Sequence, residues 1–288
     1  MQPLVVSKIA APTGSLEARF LMMIFNKLRV FGAGIAILAA SFAAFAQAPA
    51  TTTQAPASAA SSSTAALPSA DQILDKYVAA IGGEAAWRKL NSRVSKGTID
   101  IPAANLSGTV EVHEKAPDFS LAVVSLSGMT FQRGFDGAAG WSSDPQNGLR
   151  TLSGEEGEDS KRQADFYHQL NMRKNYSKWK VLSEEKIGDH DAYELEATST
   201  SGDVDKMYFD AKSGLLLRAI TTVHSPQGDQ VIQSDLSDYR DTDGIKLPFS
   251  VHQTSVQAEY TITFTEVHHN VDLSDGQFAK PAATTDAK

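Results

Sequence analysis

The sequence contains no cysteine. Disulfide bonds, thiolate metal sites, a cysteine nucleophile and a cysteine-linked lipid anchor are therefore all excluded. The folded part of the chain must be stabilised by its core alone.

The sequence also lacks a hydrophobic run long enough to span a bilayer. Its most apolar stretch, residues 30–45, is interrupted by Gly32, Gly34 and Ser41, and it falls short of the ~20 strongly apolar residues that a transmembrane helix needs. This stretch follows Lys27 and Arg29 and ends in an A-x-A site at residues 44–46.

A basic start, a short apolar segment and an A-x-A site are typical of a secretory signal peptide. We therefore predict a signal peptide over residues 1–46, with Met22 or Met23 as an alternative start, and export to the periplasm. An uncleaved signal segment that serves as a membrane anchor is the alternative.

Positive charge is scarce. The formal net charge is −8, and it becomes −11 when residues 1–46 are removed with their four basic residues and one acidic residue. This balance argues against nucleic acid as a partner and against electrostatic docking on anionic headgroups.

Residues 47–68, almost wholly Ala, Thr, Ser, Pro and Gln, predict a disordered linker. A folded domain is then expected over residues 69–281, followed by a flexible tail over 282–288.

The domain opens with a predicted helix. Ser69 and Gln72 fit a capping box, and Gly82-Gly83 supplies the end of the helix. Its apolar face, which needs a surface to cover, consists of Ile73, Leu74, Tyr77, Val78 and Ile81. A shorter helical turn is predicted around residues 85–90, and a second helix within residues 155–173.

Beyond residue 94 the apolar period changes from that of a helix to two. Tyr260, Ile262 and Phe264, for example, alternate with threonines, and turn signals separate successive runs. Strands joined by short turns predict an antiparallel meander of about nine to eleven strands. We predict a mainly β protein with a few helices (α+β), in which one large curled antiparallel sheet forms an open half-barrel. The helices form a lid that leaves part of the concave apolar face as a cavity.

This pattern resembles the LolA/LolB-like superfamily of outer-membrane lipoprotein-sorting proteins. The resemblance spans residues 69–281 and includes the segments GFDGAAGW at 134–141, YFDAKSGL at 208–215 and DLSDGQF at 272–278. It implies an eleven-stranded half-barrel whose hydrophobic cavity holds acyl chains of lipoproteins or other lipids. The long Ala/Thr/Pro linker and the missing anchor cysteine depart from the pattern, and no functional arginine of that family can be matched.

Motifs for other chemistry fail on their spacing. A calcium loop with Gly244 at its sixth position would have Tyr239 at position 1 and Ser250 at position 12, which are not the ligands required. Asp243-Gly244 is instead a type I′ hairpin signal. The adjacent His268 and His269 should point to opposite faces of the sheet. We predict no metal site, no cofactor and no catalytic residue.

The candidate ligand-binding residues are the alternating apolar side chains of the strands, with the lid helix above them. Most apolar strand residues are ordinary core, so fewer than half are expected to touch cargo. These candidates are Phe119, Leu121, Val123, Met129, Phe131, Met207, Phe209, Leu215, Leu217, Phe249, Tyr260, Ile262 and Phe264.

The predicted function is that of a non-enzymatic periplasmic carrier for lipid or lipoprotein acyl chains. One alternative is a regulatory or protein-binding module of the same fold, with envelope proteins as partners. Another is a hydrolase that uses dispersed His and Asp residues. The oligomeric state and the identity of the cargo do not follow from the sequence.

Overall fold

The computed structural model describes residues 66–145, 147–199, 202–223, 229–256 and 258–282. The predicted signal peptide and all but the last three residues of the predicted linker lie outside the described residues, as do residues 283–288 of the predicted tail. No helix among the described residues is both long and apolar enough to cross a membrane.

One antiparallel sheet of thirteen strands forms the body of the described chain. Its strands are β1 Ser92–Ile101, β2 Leu106–Lys115, β3 Phe119–Leu126, β4 Met129–Asp136, β5 Gly140–Asp144, β6 Gly148–Thr151, β7 Tyr176–Ile187, β8 His190–Ser199, β9 Val204–Asp210, β10 Leu216–Val223, β11 Gln230–Thr242, β12 Ile245–Ser255 and β13 Glu259–His269. The sheet is open, with β6 at one edge and β7 at the other.

The predicted α+β half-barrel is confirmed, although the strand number of nine to eleven was too low. The additional strands include β5 and β6, which are only five and four residues long. Strands this short show too few alternations for a period of two to be recognised.

The order of strands is that of two meanders joined in the middle. Consecutive strands are neighbours from β1 to β6 and from β7 to β13, and β1 pairs with β13. The strands that come first and last in the sequence, β1 and β13, therefore hold the two halves of the sheet together.

Among the described residues four α-helices accompany the sheet: α1 Ala70–Ala80, α2 Glu84–Trp87, α3 Gly154–Ala164 and α4 His168–Asn175. The capping box of α1 is confirmed: Ser69 Oγ accepts from the backbone N–H of Gln72 at 3.2 Å, and the Ser69 N–H donates to Gln72 Oε1 at 2.8 Å.

The single helix predicted within residues 155–173 is in fact two, α3 and α4. The chain leaves the helical conformation at Asp165, with φ −58° and ψ 107°. The Asp165 carboxylate accepts from the Tyr167 N–H at 2.9 Å and from Asn171 Nδ2 at 2.7 Å. Such local side-chain bonds compete with helical hydrogen bonds, which explains the break.

Two apolar clusters lie on the two faces of the sheet. The large one joins α1, α2 and α4 to the strands and contains Trp87, Phe166 and Phe209. The small one consists of Val94, Leu273 and Phe278, with Phe119, Leu121 and Val271 packed against it. The helices thus cover one face, which is the concave face of the half-barrel.

Gly97 lies where the two halves of the sheet meet, at a register shift between β1 and β13. A Cβ at this position would lie 2.2 Å from the Thr263 carbonyl oxygen and 2.8 Å from Phe264 Cα. Both are backbone atoms, so the strands themselves would have to move.

Gly97→Ala should therefore lower the free energy of unfolding by about 1–3 kcal/mol, the range expected for overpacking. Urea denaturation measures the loss. Gly276→Ala is the matched control, because nothing lies within 4 Å of an added Cβ there. Equal stability of the two variants would show that the β1–β13 junction tolerates separation.

Candidate ligand-binding site

A cavity of about 80 Å³ lies between the helices and strands β10, β11 and β12. One enclosed water needs roughly 10–15 Å³ of such space, so the cavity has room for about five to eight water-sized groups. This is enough for a short segment of an acyl chain, and too little for a whole lipid.

The strand side of the cavity is mainly apolar. Its apolar lining comes from Leu216, Ala219, Ile232, Leu236, Leu247 and Val251. Neutral polar groups are interspersed and engaged: Gln253 Nε2 donates to Ser234 Oγ at 3.0 Å, and the Tyr239 hydroxyl donates to the Leu216 carbonyl at 2.7 Å. Because these two side chains already have hydrogen-bond partners, neither is free to bind the polar group of a ligand.

The helix side of the cavity is formed by α1, the turn after it, α2 and α4. Its lining residues are Tyr77, Ile81, Trp87, His168, Gln169 and Met172. Tyr77 is anchored by an edge-to-face contact with Phe209, with ring centroids 5.3 Å apart. Burial raises the pKa of the Tyr77 hydroxyl above its usual value, so this group stays protonated.

Polar contacts that hold α1 in place lie at the surface. Lys76 Nζ donates to the Ala211 carbonyl at 2.6 Å, and Arg173 on α4 bonds Asp75 at 2.7 Å and the Asp71 carbonyl at 2.7 Å. Exposed contacts of this kind stabilise little each. The helix is therefore held mainly by its apolar face.

The turn that follows α1 packs on the β11–β12 hairpin. The Lys246 N–H donates to the Ile81 carbonyl at 3.0 Å. A Cβ on Gly82, whose φ is +110°, would lie 2.3 Å from the Gly244 carbonyl oxygen. Only glycine fits this contact, which fixes one end of α1 to the sheet while its other end is held by side chains.

A buried ion pair lies on the concave face beside the cavity. Arg93 on β1 contacts Glu114 on β2 through Nε at 2.7 Å and Nη2 at 2.6 Å, and their side chains are 4% and 10% exposed. The guanidinium lies 6.0 Å from the Trp87 ring centroid and 5.8 Å from that of Phe166. Its Nη1 is buried and has no hydrogen-bond partner among the described residues.

His168 lies between this pair and the cavity. Its Nδ1 is 3.1 Å from the Asp165 carbonyl oxygen. Because a carbonyl can only accept, Nδ1 carries the proton and Nε2 is an acceptor. Burial lowers the pKa of His168, with the Arg93 charge acting in the same direction and the Glu114 and Asp165 charges opposing it.

Stability should consequently fall as the pH drops below about 6.5. The unfolded chain then gains a proton at His168, whereas the folded protein, with its lowered pKa, does not until a lower pH. By linkage the loss cannot exceed about 1.4 kcal/mol per pH unit for one group. Burial also lowers the pKa of His269, so this residue adds to the same slope.

Replacement His168→Gln should make this slope shallower between pH 6.5 and 5. Urea denaturation at several pH values provides the measurement, with His268→Gln, on a side chain 64% exposed, as control. An unchanged slope in His168→Gln would contradict the assignment of a neutral, half-buried imidazole.

The structure places the predicted ligand-binding side chains in several environments, and none of them lines the cavity. Seven belong to the large cluster: Phe131, Met207, Phe209, Phe249, Tyr260, Ile262 and Phe264. Met129 and Leu215 pack against that cluster, and Leu217 is half-buried in neither cluster.

The remaining three predicted side chains, Phe119, Leu121 and Val123, alternate with Val124 and Leu126 of the large cluster. Successive side chains of a strand point to opposite faces, so these three lie on the face away from the helices.

The predicted lid residues all pack into the large cluster. Ile73, Leu74, Tyr77 and Ile81 are buried in it, and Val78 is packed against it. Tyr77 and Ile81 also line the cavity. Sequence reasoning missed the contribution of α4 and β11 to the lining, and on β10 it named Leu217 where the structure has Leu216 and Ala219. The available signal was weak, because the helix HQLNMRKN has only two apolar residues, Leu170 and Met172.

The stretch weighed as a calcium loop is a hairpin turn. Asp243 and Gly244 have φ +55° and +82° and connect β11 to β12, as the type I′ signal predicted. Asp243 accepts from His269 Nδ1 at 2.8 Å. His268 and His269, 64% and 1% exposed, lie on opposite faces. Among the described residues no three His, Asp or Glu side chains converge on a metal site.

The fold is similar to that of solved proteins at low sequence identity. A DUF1329 family protein from Desulfovibrio piger superposes with a TM-score of 0.50 at 16% identity, covering 73% of this chain and 96% of that one. A LolA superfamily protein from Nitrosomonas europaea gives a TM-score of 0.48 at 16% identity, covering 74% and 99%.

These likenesses concern the fold alone, and a structure of the LolA superfamily, which the sequence was predicted to resemble, is among them. No family model matches the chain. A comparison with curated proteins gives no match either.

Proposed function

We propose that this protein is a periplasmic lipid-binding protein that holds acyl chains of lipids or lipoproteins between α1, α4 and the sheet. The observation that supports this most is an apolar cavity under a helix whose polar contacts lie at the surface. The export segment predicted at residues 1–46 agrees with this location.

The size of the cavity defines how it would work. Five methylenes would fill it, and each contributes about 0.8 kcal/mol when buried, or roughly 4 kcal/mol in total before entropic costs. A longer chain needs more room, which movement of α1 away from Phe209 would create. The side chains of Met207, Phe209 and Phe249 are proposed as the wall that such an opening exposes to the ligand.

Protein binding through a sheet edge is the weaker candidate. The edge strand β7 is twelve residues long and open on one side, which suits an added strand. Its exposed residues include Lys178, Lys180, Glu184, Glu185 and Lys186. Charges on an edge strand discourage pairing, so this edge fits protection from association better than recognition.

The test is direct loading. Purified protein, stripped of lipid and incubated with phospholipid vesicles of mixed chain length, should carry bound lipid in native mass spectrometry. Absence of any adduct from a folded sample, as judged by circular dichroism, would overturn the proposal. An esterase screen on the same sample addresses the hydrolase alternative.

A further inference from the structure

The side-chain amide of Gln169 on α4 is the least satisfied polar group of the cavity wall. The residue is only 7% exposed and lines the cavity. Its Oε1 is fully buried without a hydrogen-bond partner among the described residues, and its Nε2 has none there either. A buried amide without partners is costly unless something else supplies them.

A carboxamide presents one acceptor and one donor group whichever way it is turned. A ligand group that both donates and accepts, such as a hydroxyl or an amide, can therefore satisfy it. A carboxylate or phosphate has no proton to give to the oxygen, so it would satisfy only the amide nitrogen.

The groups beside Gln169 are also neutral. His168 offers Nε2 as an acceptor, because its Nδ1 is bonded to the Asp165 carbonyl. The Tyr77 hydroxyl is protonated and makes no hydrogen bond to another described residue. Arg93 and Glu114, whose charges act on His168, are paired with each other and are not among the residues that line the cavity.

We propose that the cavity selects amphiphiles whose polar end is neutral and hydrogen-bonding, a hydroxyl or an amide, which lies against Gln169, His168 and Tyr77. This inference rests on the proposed function and specifies its ligand class. Lys246 is the only cation that lines the cavity within the described part of the chain. Its side chain is exposed, so it lies at the rim, where it would instead favour an anionic head.

The experiment compares three ten-carbon probes on the lipid-stripped full chain at pH 7.5: decanamide, 1-decanol and decanoate. Isothermal titration calorimetry gives their affinities. We expect the amide and the alcohol to bind about tenfold more tightly than decanoate, the effect of one or two hydrogen bonds.

Gln169→Leu should reduce this preference by weakening decanamide and decanol about tenfold and decanoate by less, since a carboxylate can bond only the amide nitrogen. The same variant should raise the Tm of the empty protein, because an unpaired amide is gone. Gln132→Leu on β4 is the matched control, since Gln132 is half-buried and outside the cavity lining. It should bind all three probes as the wild type does.

The outcomes separate the two proposals. If decanoate binds most tightly and Lys246→Gln abolishes its advantage, the head group lies at the rim and this inference is overturned while lipid binding stands. Equal affinities that Gln169→Leu does not change also overturn it alone. If no probe binds the wild type, both proposals fail.

Discussion

Glu114→Leu is expected to lower the free energy of unfolding by about 3–5 kcal/mol, because it leaves the Arg93 guanidinium buried and unpaired. In a domain of this size the loss corresponds to roughly 10 °C in Tm. The pair is enclosed, with side chains 4% and 10% exposed, so solvent can do little to compensate. Arg93→Met should cost a similar amount, since it leaves the carboxylate unpaired instead.

The double variant Arg93→Met/Glu114→Leu should be close to the wild type in stability. The buried pair is itself incompletely satisfied, since Arg93 Nη1 has no partner among the described residues, and apolar replacements of similar volume often match such pairs. The aromatic rings of Trp87 and Phe166 near the guanidinium would then contact a methionine side chain. Thermal unfolding of all four proteins gives the coupling energy, and additive losses in the double variant would contradict the argument.

The fold could be predicted because local signals agreed with each other. The capping box at Ser69 and the positive-φ turn at Asp243-Gly244 are encoded in three or four residues each, and both form as expected. The alternation in β13 similarly marks one buried face, with Tyr260, Ile262 and Phe264 in the core.

The cavity could not be located in the same way. In β3 both alternating sets, Phe119-Leu121-Val123 and Ala122-Val124-Leu126, are largely apolar, so periodicity could not show which set faces the helices. Which of the two sets faces the helices is decided by contacts between residues that are distant in sequence. The small cluster of Val94, Leu273 and Phe278 covers one set, and it is formed by the two ends of the domain.

The same limit applies to α4. Its apolar pattern is weak because the helix has only eight residues and two of its polar residues, His168 and Gln169, line the cavity. Gln169 is buried only because α4 packs against α1 and the strands. Sequence reasoning therefore predicted that a lid exists, and could not predict that its polar lining comes from a second helix.

Ala219→Phe is expected to lower the affinity for acyl chains about a hundredfold. Ala219 is 2% exposed on β10, and its side chain lines the cavity. A phenyl ring there would occupy the space of about four methylenes, which removes roughly 3 kcal/mol of burial, or two powers of ten in Kd.

Leu236→Ala, which widens the same cavity from β11, should have the opposite effect and favour longer chains. Calorimetric titration of both variants with decanol provides the measurement, and Tm values show whether each is folded. A folded Ala219→Phe that binds decanol as tightly as the wild type would place the ligand outside this cavity. Because the two substitutions change one volume in opposite directions, a general loss of stability cannot produce both results.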